Sequence, residues 1–175
     1  MDSITMSDNG AKPGSIFKRA FSVILSLAIL IAIDQYAKAM AVSRLKDGGP
    51  FSLLPGILEL RYVENTGAAF GILQGRSGIF FVIAIVVSAV LFYGIMKLPH
   101  KRRYLPLGIS MIFIIAGALG NLIDRIRLGF VVDFIYFRLI DFPVFNIADI
   151  YITCSCFMLA FLLIFYYKEG EFQAL

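Results

Sequence analysis

Four apolar runs, each close to the length of a bilayer-crossing helix, leave this chain of 175 residues little choice of fold. They cover about residues 20–42, 78–96, 104–123 and 150–167. A helix needs ~20 apolar residues to cross the hydrocarbon core of a membrane. Composition leads to the same place. Hydrophobic residues make up 59% of the chain and charged residues 16%, with a mean hydropathy of +0.85. A soluble domain carries about 45–50% apolar and about 25% charged residues. One small soluble core cannot cover this much apolar surface, so an integral membrane protein is expected. Its core is all-α, with four transmembrane helices in a single domain over 17–168.

The net charge of +4 reads as a signal of orientation. The segment Lys97–Arg103 joins the second and third runs and holds Lys97, Lys101, Arg102, Arg103 and the only histidine, His100. Lys12, Lys18 and Arg19 precede the first run and Lys168 follows the fourth. With four spans these cations share one side, which positive-inside bias makes cytoplasmic. Basic residues that flank apolar runs do not form the soluble basic face of a nucleic-acid binder. The polar, small-residue stretch 1–16 is expected to be a disordered cytoplasmic tail, and 169–175 a short cytoplasmic one. A rival reading takes the first run, ending near Ala39–Met40–Ala41, as a cleavable secretory signal. Cys154 and Cys156 are expected to be small apolar core residues that do not pair with each other.

The two outward segments are unusual. From Ile57 to Val63 apolar and polar residues alternate, the period of a strand with one wet face. Residues 124–149 are strongly apolar, with Phe130, Val131, Val132, Phe134, Ile135, Tyr136 and Phe137. A small β-sheet lying at the outer interface fits both.

Several polar residues then need partners. Asp34 and Lys38 are four apart at the outer end of the first run and can pair on one helix face. They either stabilise the helix end or brace a nearby site. Gly117 and Gly120, with Ala116 and Ala118, offer a smooth surface for close helix packing. Asn121, Asp124 and Arg125 follow within a turn. Arg125 and Arg127 compensate Asp124, which favours a structural role for it. Asp133 lies in an apolar segment and Asp149 directly precedes the last run, neither with a cation beside it. Intramembrane acids have a partner or a task. Each caps an element separately, or the two meet and share a proton as in an aspartic peptidase. His100 alone is no zinc site. A Ser–Lys peptidase using Lys38 lacks an obvious serine. A channel or transporter subunit, or an assembly factor, is the non-enzymatic alternative. A channel or transporter would distribute polar residues along the full depth of the spans, whereas here they cluster at the outer ends.

Asp34–Gln35 with Lys38, Asn65–Phe70, Gly117–Asn121 with Asp124–Arg125, Val131–Phe134 and Phe145–Asp149 occur in this order. Over about residues 20–167 the chain resembles the lipoprotein signal peptidase family, the bacterial signal peptidase II enzymes. The resemblance implies an intramembrane aspartic endopeptidase of the bacterial inner membrane, working without a cofactor or metal. Such an enzyme cleaves prolipoproteins just before a diacylglyceryl-modified cysteine. The family's catalytic pair falls on Asp133 and Asp149. Its substrate-contacting residues fall on Asn65, Asn121, Arg125 and Asn146, and supporting positions on Asp34, Lys38 and Asp124. The expected partners are the lipidated prolipoprotein and membrane lipid, with the protein a monomer, its termini cytoplasmic and its site at the outer face. The family's interfacial β-cradle and mobile outward helix suit residues 43–77. Two departures are visible: Ile150–Tyr151 stands where family members carry serine after the last aspartate, and the N-terminal tail is extra.

Overall fold

The computed structural model describes residues 13–67, 77–168 and 170–171. The expected tail as far as Lys12, the Ala68–Phe70 end of the Asn65 motif, and residues 169 and 172–175 lie outside them.

Helix α1 runs unbroken over Pro13–Leu45. Proline suits a first helical turn, where its missing N–H has no intrahelical partner to lose. The helix therefore includes Pro13–Ile16, which the sequence had assigned to the tail. Ala39–Ala41, the alternative cleavage site, is interior to it. Phe17, Phe21, Ile24, Leu25 and Ile29 are exposed while Asp34 and Lys38 are buried. This inverts the pattern of a soluble helix. It suits one whose outer solvent is lipid and whose polar groups must be satisfied inside.

Helices α2 (Ser77–Lys97), α3 (Leu105–Leu128) and α4 (Ile147–Phe161) follow, and a wider π-type turn over Leu162–Tyr166 prolongs α4. Three stretches are long and apolar enough to cross a membrane: Ile16–Leu45, Arg102–Leu128 and Ile147–Tyr166. The apolar part of α2 among the described residues is the shorter Phe81–Lys97. Among the described residues the structure thus establishes three membrane-capable helices where four were expected.

Helix α3 packs against all three others. A Cβ on Gly117 would lie 2.5 Å from the Ala148 carbonyl oxygen and 2.7 Å from Ile152 Cγ1. One on Gly120 would lie 2.7 Å from Asp34 Oδ2. At these two glycines α4 and α1 approach the α3 backbone with no room for a methyl group. The helix runs on to Leu128, past the end of its apolar run, so Asn121, Asp124 and Arg125 lie on it. Gly129 stops it with a left-handed φ of 84° and an N–H donated to Arg125 O at 3.1 Å.

Cys154 and Cys156 are free, but both are exposed and neither is in the core. The physical reason is geometric. In so small a bundle α4 has neighbours on one side only, and the rest of its circumference faces lipid, where a thiol is apolar enough to sit.

The antiparallel sheet has the order β1–β2–β3, with β1 at Phe51–Leu54, β2 at Leu58–Asn65 and β3 at Val131–Phe137. Pairing shifts between Leu60↔Ile135 and Val63↔Asp133, so β2 carries one extra residue there. Such a bulge turns later side chains to the other face. It leaves Asn65 diagonal to Asp133 across the β2–β3 ladder, since Asn65 pairs with Val131. Phe145 then joins β3. Its N–H donates to Ile135 O at 3.0 Å and its carbonyl accepts from Ile135 N at 2.8 Å. That pairing delivers the next residue, Asn146, to the side of Asp133.

Candidate active site

Asn146 is fully buried and caps α4. Its side-chain oxygen accepts from Asp149 N at 3.0 Å, and its own N–H donates to Asp149 Oδ2 at 3.1 Å. This reciprocal capping box puts Asp149 in the first helical turn, not ahead of it. The Asn146 amide Nδ2 donates to Asp133 Oδ1 at 2.6 Å and to Asn121 Oδ1 at 3.1 Å. One residue therefore links both carboxylates, Asp133 through its side-chain amide and Asp149 through its backbone N–H, bringing together acids sixteen residues apart in the chain. The second oxygen of Asp133 accepts from Asn65 Nδ2 at 2.8 Å. That of Asp149 accepts from Asn121 Nδ2 at 2.8 Å. Asn65 is itself fixed by Gly67 N–H on its side-chain oxygen at 2.9 Å, the local bond that suits Asn to turns.

Beneath this pair lies a buried ion cluster. Lys38 Nζ is 2.9 Å from Asp34 Oδ2, 3.0 Å from Asp124 Oδ2 and 2.9 Å from Asn121 Oδ1. All three ammonium protons are thereby used. The expected Asp34–Lys38 pair is present. The expected compensation of Asp124 by Arg125 survives only as a charge interaction without a direct ion pair; the cation in contact with Asp124 is Lys38 of α1. Adjacent residues on a helix do not face each other, so Arg125 points elsewhere. It donates to Gly67 O at 2.9 Å and to Asn121 O at 3.4 Å. Backbone amides complete the cluster, Ala148 N–H on Asp34 Oδ1 at 3.0 Å and Val132 N–H on Asp124 Oδ2 at 3.2 Å. All nine residues singled out from the sequence thus belong to one hydrogen-bonded network.

Gln35, which follows Asp34 in the first motif, also joins the network. Its amide donates to Asp124 Oδ1 at 2.9 Å and to Gly120 O at 3.2 Å. A polar residue directly after Asp34 in an apolar run was the signal available for it.

Burial, and then the charge of Asp149, push the Asp133 carboxyl up to about 6, while the Asn65 and Asn146 hydrogen bonds and the Lys38 charge pull it down. A carboxyl that exchanges its proton this near neutrality, linked to a second carboxyl, can give and take protons in turn. Among the described residues no group of three or more His, Cys, Asp or Glu is disposed to hold a metal ion.

Comparison with known proteins locates the whole arrangement. The family model described as Signal peptidase (SPase) II matches residues 26–165. A protein named lipoprotein signal peptidase from Caldanaerobacter subterraneus subsp. tengcongensis is 43% identical over 143 residues, covering 81% of this chain and 95% of that protein. One of the same name from Streptococcus pyogenes serotype M1 is 39% identical over 155 residues, covering 89% and 97%. A solved structure described as a bacterial membrane enzyme superposes with a TM-score of 0.75 at 35% identity, over 86% of this chain and 93% of that one.

Proposed function

The chain belongs to the signal peptidase II family, and we propose that it acts as an aspartic endopeptidase with Asp133 and Asp149 as its catalytic pair. It is a bacterial-type membrane peptidase that removes signal peptides from prolipoproteins. The observation that carries the aspartic reading is Asn146, whose side-chain amide and backbone N–H each hold one of two carboxylates, one of them raised to about 6.

In this mechanism one carboxylate takes a proton from water as its oxygen attacks the scissile carbonyl carbon. The other, protonated, hydrogen-bonds the carbonyl oxygen and passes it the proton, giving a tetrahedral diol. Collapse of the diol breaks the C–N bond, and a carboxyl returns a proton to the leaving amine. The products are the signal-peptide carboxylate and a new N-terminal amine on the lipid-modified cysteine. Asn121 and Asn146 hold the two acids in register, as a positioned acid–base pair requires. Asn65 and Arg125 flank the pair on the side of Gly67 and are assigned to the peptide. Asp34, Lys38 and Asp124 brace the floor.

Gel-shift cleavage of a lipidated prolipoprotein tests this. Asp133→Asn and Asp149→Asn are each expected to reduce turnover roughly 10²-fold or more, because an amide keeps the shape but cannot cycle a proton. Near wild-type turnover in either variant removes that residue from the pair.

The four-span reading takes α2 as the remaining span, with both termini cytoplasmic and the acids at the outer face. The cations around His100 and before α1 support that orientation. A phosphatase reporter that is active only outside the cell should be active when fused after Lys46 and silent when fused after Leu175. The reverse result overturns the orientation. The protein is taken to act as a monomer, since all nine residues of the network come from one chain. Sedimentation in detergent tests that, and a dimer mass would refute it.

A further inference from the structure

At the end of the bundle opposite the carboxylates, a cavity of about 540 Å³ lies between α1, α3 and the segment joining α2 to α3. Lys18, Arg19, His100, Lys101 and Arg102 contribute to its rim. Its walls are apolar, Val23 and Ile112 among them. Leu105 and Ile109, both exposed, carry that apolar wall out to the lipid-facing flank of α3. Leu105 lines this cavity while Asn121 belongs to the acid network. The sixteen residues between them span about 24 Å along α3. The two sites therefore sit near opposite boundaries of a hydrocarbon core ~30 Å thick.

Charge decides what such a cavity takes. The Arg19 guanidinium is fixed at the α2 C-terminus, donating to Ile95 O and Met96 O at 3.2 Å each and to Leu98 O. Arg103 is neutralised by Glu171 at 2.8 Å. Among the described residues no carboxylate pairs with Lys18, Lys101 or Arg102. Cations with no carboxylate partner among the described residues, set around an apolar-walled opening at a bilayer boundary, fit a ligand that is anionic at one end and hydrocarbon at the other. We propose that this cavity binds an anionic phospholipid of the adjoining leaflet. Its phosphodiester lies among Lys18, Lys101 and Arg102, and an acyl chain runs along Val23, Ile109 and Ile112. Which leaflet this is rests on the orientation proposed above; the binding itself does not.

Native mass spectrometry of the purified full-length protein tests it, with phosphatidylglycerol and phosphatidylcholine as probes and glycerol phosphate as a soluble competitor. Phosphatidylglycerol should be retained several-fold over phosphatidylcholine. Lys101→Gln combined with Arg102→Gln should weaken that retention roughly five-fold per cation removed. Lys97→Gln, at the same end but held against the Tyr93 ring outside the cavity, should leave it unchanged. The cleavage rate of the double variant reports whether it folds. If it does not, Lys18→Gln alone should still lower phosphatidylglycerol retention. Equal retention of both lipids, or unchanged binding in the variants, overturns the proposal. So does displacement of the lipid by excess glycerol phosphate, which would assign the cavity to a soluble anion. Lipid retention is read without any cleavage, so failure here is distinct from failure of the peptidase mechanism.

Discussion

The raised proton affinity of Asp133 sets a pH dependence whose sign can be worked out. Its carboxyl sits at about 6 in the fold, above its value in an unfolded chain, so the native state holds the proton more tightly. The stability this contributes is complete below the ordinary carboxylate range and is lost as pH rises to and past about 6. Its size is at most roughly 3 kcal/mol. Thermal unfolding in detergent should therefore show lower stability at about pH 7.5 than at about pH 4.5, and Asp133→Asn should flatten that slope. Asp124 belongs to a different account. It meets Lys38 at 3.0 Å, and both side chains are only 3% exposed. Lys38 keeps Asp34 at 2.9 Å when Asp124 loses its charge, so what is lost is one ion contact and the charged acceptor for Gln35 and the Val132 N–H, roughly 1–3 kcal/mol. Asp124→Asn should lower the melting temperature while turnover per folded molecule falls far less than in Asp133→Asn. Unchanged stability with cleavage abolished would move Asp124 into the catalytic pair.

The elements differ in how far they could be read from the chain alone. The Ile57–Val63 alternation announces β2, because period two holds over enough residues to be seen. β1 is four residues long, all exposed, and has no comparable signature. Asp34 and Lys38 were legible because helical spacing places them together. The Lys38–Asp124 pair was not, because no local period links α1 to α3 and the arginines nearer in sequence are the more obvious partners. The meeting of Asp133 with Asp149 likewise depends on the β2 bulge and the Phe145 bridge, which are tertiary events. Gly117 and Gly120 were legible as a packing surface, and the structure adds what they touch. Gly117→Ala and Gly120→Ala force a methyl group into the Ala148 carbonyl and the Asp34 carboxylate. Each should cost roughly 1–3 kcal/mol by overpacking and lower cleavage as well, because α4 carries Asp149. Melting curves beside initial rates check both. A fully stable, fully active Gly120→Ala would mean α1 can retreat without harm.

At the scale of the whole molecule, the site lies where the helices α1, α3 and α4 meet the sheet, and the surface around it is apolar. Phe51, Leu54, Leu139 and Ile140 are exposed on the sheet and the turn that follows β3. A site so placed has little soluble surface with which to grip a free peptide. Binding energy from acyl chains, about 0.8 kcal/mol per buried methylene, can instead position the scissile bond. An unlipidated prolipoprotein, or one with serine for its cysteine, should be cleaved far more slowly at equal concentration. Equal initial rates would turn the enzyme into a general membrane peptidase. The bond from Ala148 N–H to Asp34 Oδ1 joins residues 114 apart, the first helix to the last. Synthesis runs from one end, so Asp34, Lys38 and Asp124 are made before Asn146, Ala148 and Asp149. Until the final helix arrives, Asp34 lacks the Ala148 amide and the proposed catalytic pair lacks a member. With the pair proposed above, a nascent or truncated chain is anchored yet inert, and no signal peptide is cut by a half-made enzyme.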